Sequence, residues 1–359
     1  RAAIALKVGA REEAERLLAA YGAQHGGLAP AAYVRSRLAY LDRYRDAGGA
    51  PAVLFLRGLE AEDEPAIALR EWRTLIRDYP RCGLAPLAQL KLGLLQRRLG
   101  NAAWALAELG IAAQQPADVV DADGNPIAPQ ALLAMGLTRR DLMQDPVGAR
   151  ADLGSVIAKY AGVTIRPATG SPYAPRAIAQ YELACMELDQ GGGVPALETL
   201  AAAPPPTGYA AEDFSGDLRA QAGFRLAEVG LKRRAFARVR ERLTEVARIA
   251  ADVPMGPPDG ARRWCGFEAV DWLAERLGPR SPEEGLQGLV DVAAQTRRRE
   301  LWAYAALARV RVLARAGRPA EARDVLAELE RRAPNLECDP RGDGLLLVPA
   351  REAKRVLSG

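Results

Sequence analysis

The chain has 359 residues, 49% of them apolar and 6% aromatic, with 49 Lys and Arg against 45 Asp and Glu. Abundant Ala and Leu with few aromatics favour packed helices over sheets, and a net charge of +4 leaves only weak attraction to nucleic acid or anionic lipid. No apolar run reaches the roughly 18 residues that span a bilayer, and one histidine, His25, with four scattered cysteines argues against a His/Cys zinc site.

The chain opens inside a helical pattern, so sequence upstream, with any targeting signal, is expected to be missing. Residues 11–21 place Ala14, Leu18 and Tyr21 on one helical face, and residues 31–44 form a second helix. Glu64 and Pro65 then open the second arm of a helical hairpin. That arm carries Ala68, Trp72, Leu75 and Pro80: a small residue, a large one four later, an aliphatic three beyond, then proline. The spacing returns as Ala105, Leu109, Ala112 before Pro116, as Ala149, Leu153, Val156, as Ala196, Leu200, Ala203, and as Ala322, Leu326, Leu329, Pro334. Two interruptions, 118–129 and 161–175, break the helical period. Short extended pieces are expected only near 119–127, 163–166 and 345–348. The proline-rich stretch 204–216 reads as a linker. The domains expected are thus 1–203, a linker at 204–216, a second helical region at 217–335 and a tail at 336–359. Ser281, Pro282 and Glu284 mark a helix start.

Catalytic signatures are missing. There is no GxxxxGK[ST], GxGxxG, HExxH or GxSxG segment, and one histidine removes most acid–base schemes. Glu60, Glu62, Asp63 and Glu64 stand at a helix start, where carboxylates favour the dipole. Asp121, Asp123 and Asn125 begin like a calcium loop, but Pro126 and Leu132 stand where that loop needs glycine and glutamate, which leaves a turn built on Asp-Gly and Asn-Pro. Cys82, Cys185, Cys265 and Cys338 read as small buried hydrophobes or, in an oxidising compartment, as disulfide partners. The basic group Lys232, Arg233, Arg234, Arg238, Arg240 and Arg242 reads as a solvated helix face, or as a site for an acidic partner or phosphate.

The recurring offsets resemble the tetratricopeptide repeat (TPR), a helix–turn–helix unit. The unit ending at Pro334, with Gly317 in its turn, and the one ending at Pro116, with Leu92 and Gly93, carry the likeness best. The early Trp of the family is absent, and successive small residues lie further apart than the ideal period. The resemblance implies an all-α, right-handed superhelical solenoid of TPR-like hairpins. It also implies that first helices line a groove for a protein partner, with Tyr304, Leu307, Arg311, Arg315, Leu90, Leu94, Arg97 and Arg98 facing it. The chaperone-type clamp needs Lys and Asn where Leu307 and Ala308 stand. The two interruptions are the competing place for a partner. The junctions LIRDYPRCGLAP and SPYAPRAIAQ are similar to those of bacterial cell-envelope repeat proteins, which implies a periplasmic or envelope setting, the cytoplasm being the alternative. The expectation is therefore a non-enzymatic scaffold in a multiprotein complex, with no cofactor, no small-molecule substrate, no transmembrane segment and no preference for nucleic acid. The alternative is the helical accessory region of an enzyme, such as a cell-wall lytic enzyme, whose catalytic domain lies outside this chain.

Overall fold

The computed structural model describes residues 49–359 except 122, 168–171, 189, 205–207, 212–213, 256–262, 343 and 359, and in addition 12–13, 16–17 and 19–20, which are helical. The helix expected over 31–44 lies outside the described residues. The chain divides into two compact units, 1–183 and 184–359. The division falls inside one helix, and 208–211 with 214–216, inside the expected linker, take part in a strand pair.

The first unit contains α1 (Gly49–Glu60), α2 (Pro65–Asp78), α3 (Ala85–Arg98), α4 (Ala102–Ala113), α5 (Ile127–Asp141), α6 (Pro146–Lys159) and most of α7 (Pro175–Leu188). The first six pair as three hairpins. In each, a glycine of the first helix admits the large residue of the second. A Cβ on Gly58 would stand 2.6 Å from Trp72 Cδ1, one on Gly93 2.5 Å from Leu109 Cγ, and one on Gly136 2.8 Å from Leu153 Cγ. None of these glycines has a left-handed backbone, so close approach is what requires them. The partner small residues Ala68, Ala105 and Ala149 are fully buried, as are Trp72, Leu109 and Leu153.

The second unit contains α8 (Val194–Ala201), α9 (Leu218–Lys232), α10 (Phe236–Ile249), α11 (Cys265–Asp271) running into a π-helical turn (Trp272–Leu277), α12 (Pro282–Gln295), α13 (Arg299–Arg315), α14 (Pro319–Arg332) and α15 (Pro349–Ser358). Two departures from the expected spacing occur here. In α14 the buried set is Ala322, Val325 and Leu329, with Leu326 only half-buried. In α8 it is Leu197 and Leu200, with Ala196 exposed, because the turn at Gly193 (φ 77°) packs against Ala184 and starts the helix one residue out of phase. The π turn ends where Gly278 N–H donates to Leu273 O at 2.9 Å. Gly278 meets Gly285 of α12 so closely that a Cβ on Gly285 would lie 2.9 Å from Gly278 Cα.

Extended structure is slight. β1 (Gly208–Ala211) pairs antiparallel with β2 (Phe214–Asp217), and β3 (Pro254–Met255) with β4 (Arg263–Trp264); neither pair was expected. Single bridges Val120–Pro126, Ile165–Tyr173 and Cys338–Leu347 fall at the expected extended pieces. No helix of the described residues is long and apolar enough to cross a membrane.

The hairpin turns share one device. A left-handed residue follows the first helix at Gly100 (φ 76°), Gln144 (φ 54°), Arg234 (φ 55°) and Gly317 (φ 71°). The residue after it donates back to a carbonyl near the end of the first helix, five positions away in Asn101 N to Gln96 O and Ala235 N to Gly230 O, at 2.9 and 2.8 Å. At Arg234 a Cβ residue occupies a conformation costing about 1–2 kcal/mol, partly offset by the greater unfolded freedom of glycine. Arg234→Gly should therefore stabilise the chain by about 0.5–1 kcal/mol. An unchanged or lower midpoint in thermal melts would show that the Arg234 side chain repays the strain.

Candidate functional site

In the second unit the first helices α9, α11 with its π turn, and α13 present the face expected to be a groove. Tyr304 and Leu307 do not lie on its surface. Leu307 is fully buried, so it offers nothing to a partner, and Tyr304 is 5% exposed. The Tyr304 hydroxyl donates to Asp271 Oδ1 at 2.8 Å. Burial pushes the Asp271 carboxyl up from its ordinary value and raises the Tyr304 phenol too, with the Asp271 charge adding to the second effect. These two residues tie α13 to α11. Arg311 is half-buried beside them, and Arg315 is exposed and pairs with Glu275 at 2.6 Å. Both arginines remain at the surface.

Between α9 and the π turn lies a cleft of about 300 Å³ lined by Gln221, Phe224, Met255, Glu268, Trp272 and Arg276 among others. Phe224 and Trp272 pack as tilted rings, 5.2 Å between centroids and 52° between planes, and the Arg276 guanidinium covers the indole at 3.7 Å. Trp272 Nε1 donates to Glu268 Oε1 at 3.0 Å, and Glu268 also pairs with Arg263 at 3.0 Å. No part of this cleft was expected from sequence. Trp272 and Arg276 sit four apart and look like any helical pair; the signal available was Gly278, which closes the π turn.

In the first unit, Leu90 is buried and Leu94 half-buried. Both line a cleft of about 220 Å³ with Phe55 and Leu59 of α1. The two interruptions fold over this cleft, contributing Asp121, Asn125, Ile165 and Tyr173. Residues of the expected groove and of both insertions, expected as rivals, therefore line one cleft here. The expected turn is present: Asp121 Oδ1 accepts from the backbone N–H of Asp123 (3.0 Å) and Asn125 (2.8 Å). Asn125 then joins the loops, its Nδ2 donating to Arg166 O at 3.0 Å and its Oδ1 accepting from Arg166 N at 2.7 Å. Burial, with the Asp121 charge, raises the Tyr173 phenol. Arg97 is corrected from partner contact to strut: it is 7% exposed, and its guanidinium donates to Asp141 of α5 at 2.9 Å. Arg98 is exposed, 3.8 Å from Glu62.

Elsewhere the basic group is interleaved with carboxylates: Arg240 with Glu284 (3.0 Å), Arg242 with Glu198 (3.7 Å), Lys232 with Glu228 (3.4 Å). The cysteines are unbridged, and burial pushes the Cys265 and Cys338 thiols up to about 12.

The fold is all-α and built of paired helical hairpins, marked by the glycine-admitted pairs and the left-handed turns. Among solved structures the chain is similar to a tetratricopeptide repeat protein from Parabacteroides merdae, with 12% identity over 87% of this chain and 100% of that one and a TM-score of 0.41. No protein-family model matches the chain, and no curated protein matches it.

Proposed function

We propose that the chain is a non-enzymatic scaffold that holds a segment of a partner protein along the first-helix face of its second unit. The observation that carries this reading is the aromatic cleft at α9 and the π turn, with the surface arginines Arg311 and Arg315 on the neighbouring α13. Arginine and tryptophan in a partly buried setting are the side chains that most often dominate interfaces. The finer setting, a multiprotein assembly of the bacterial envelope, is supported by the junctions around Tyr79-Pro80 and Ala174-Pro175, which here end α2 and open α7.

The test is a pull-down from the native source, with the partner identified by mass and its affinity measured for the double variant Arg311→Glu, Arg315→Glu. Binding should weaken about tenfold or more, while helical content stays, because the exposed Arg315–Glu275 pair contributes only about 0–1 kcal/mol. Binding that survives this change, yet is lost when loop 118–129 or 161–175 is shortened, would move the site to the first unit.

A further inference from the structure

We propose that the cleft between α9 and the π turn reads an acidic protein segment, seating an aliphatic side chain on Phe224, Trp272 and Met255 with carboxylates to either side. The proposal rests on the groove reading above and gives its partner a chemistry. It follows from which polar groups of the cleft are already satisfied. Glu228 is held by Arg225 at 3.0 Å and Lys232 at 3.4 Å. Glu268 is held by Arg263 and by the Trp272 indole, both at 3.0 Å. The acceptors are thus occupied, and the leftover groups are donors. Gln221 Nε2 is buried with no acceptor among the described residues. Arg276 is exposed, lies flat on Trp272 and makes no ion pair among the described residues. Arg311, on the neighbouring α13, makes none either and faces the Tyr304 hydroxyl. A buried donor and two guanidinium groups outside any ion pair among the described residues, Arg311 against the Tyr304 hydroxyl and Arg276 against the Trp272 ring, call for an acceptor-rich, anionic ligand, and the aromatic wall calls for an apolar side chain beside it.

Two features make that ligand a chain segment of a protein. The arginines stand on neighbouring helices, so two carboxylates in series satisfy them where one terminus does not. The wall formed by Phe224, Trp272 and Met255 seats an aliphatic side chain, which a nucleic-acid backbone does not carry. The π turn serves the arrangement. Its wider winding, closed by the Gly278–Leu273 bond, brings Trp272 and Arg276 face to face, and such turns are frequent at functional positions.

The experiment uses the full chain and N-acetylated, C-amidated peptides in which Leu alternates with Glu, Gln or Lys, with a single-stranded oligonucleotide as the fourth probe. Fluorescence polarisation should show the Leu/Glu peptide binding at least about tenfold tighter than the Leu/Gln peptide. Arg276→Gln should weaken it by a similar factor, and Arg276→Lys by less. The change in tryptophan emission on binding should vanish in Trp272→Phe. Circular dichroism of each variant must match the parent, which the exposure of Arg276 makes the expected outcome. Equal binding of the Leu/Gln or Leu/Lys peptide, no binding of any peptide, indifference to Arg276→Gln, or oligonucleotide binding that needs Arg276 would each overturn the proposal. If the peptides fail while the native partner is still lost on reversing Arg311 and Arg315, the groove stands and only this cleft's chemistry falls. If the Leu/Glu peptide needs Arg276 but the native partner ignores the reversal, the cleft stands and the wider groove reading falls.

Discussion

Trp72→Ala is expected to cost about 3–5 kcal/mol, the usual range for emptying a fully buried aromatic site, and to lower the melting midpoint by roughly 6–20 °C. Trp72 is fully buried, its Nε1 donates to Phe55 O at 3.2 Å, and its ring lies against Gly58. Removing the ring opens a void between α1 and α2 and takes one of its donors from the Phe55 carbonyl. The glycine supplies the second half of the argument. Gly58→Ala puts a methyl into the space of the indole and should cost about 1–3 kcal/mol. Joined with Trp72→Leu it should cost less than the two changes summed, because the smaller side chain vacates that space; contacting sites couple by about 0.5–3 kcal/mol. Strict additivity would mean that Gly58 and Trp72 do not share that space. Amide exchange in α1 and α2 gives the local reading, since protection there should fall before protection in α5 and α6.

The same pair shows what was legible in the chain. The spacing from Ala68 to Trp72 to Leu75 identified three residues that all prove fully buried, and the copies at Ala105 and Ala149 behave alike. Such spacing is local: one helix buries one stripe, and the stripe is written at intervals of three and four. It fails where a neighbour distant in sequence decides the phase. Val325 displaces Leu326 from the core of α14, and Leu197 replaces Ala196 in α8. An aromatic ring with a hydroxyl, as in Tyr304, suits surface and core alike. What settles it is Asp271, 33 residues upstream, which accepts its hydrogen bond. Arg97 was misplaced for a like reason, its carboxylate lying 44 residues on at Asp141. The aromatic cleft was hidden more completely, since nothing in WLAERL distinguishes a π turn from an α-helix until Gly278 and Gly285 are seen in contact. Insertions were legible as interruptions, but their destination was not.

That destination gives the second large effect. Asn125→Leu should release the two inserted loops from one another and open the first unit's cleft. Asn125 is 4% exposed, and its amide meets Arg166 as a strand would, donating to the carbonyl at 3.0 Å and accepting from the N–H at 2.7 Å. The Ile165–Tyr173 bridge, with bonds of 2.8 and 3.0 Å, continues the pairing. Leucine keeps the volume and loses both bonds, and with them the Nδ2 bond to Asp121 Oδ2 at 3.2 Å. Each buried group left unpaired costs about 1–3 kcal/mol, but Arg166 is exposed, so water offers its backbone a better partner than a closed loop does. The expected response is therefore local opening: the amides of Ile165 and Arg166 should exchange at least about tenfold faster, while those of α3 and α5 keep their protection. Asn125→Asp retains the acceptor for Arg166 N–H and sets a second carboxylate beside Asp121, so it should fall between parent and Asn125→Leu at neutral pH. Unchanged exchange at Ile165 and Arg166 in Asn125→Leu would show that Tyr173 and its neighbours hold the loops unaided, and that Asn125 is not the clasp over Leu90 and Leu94.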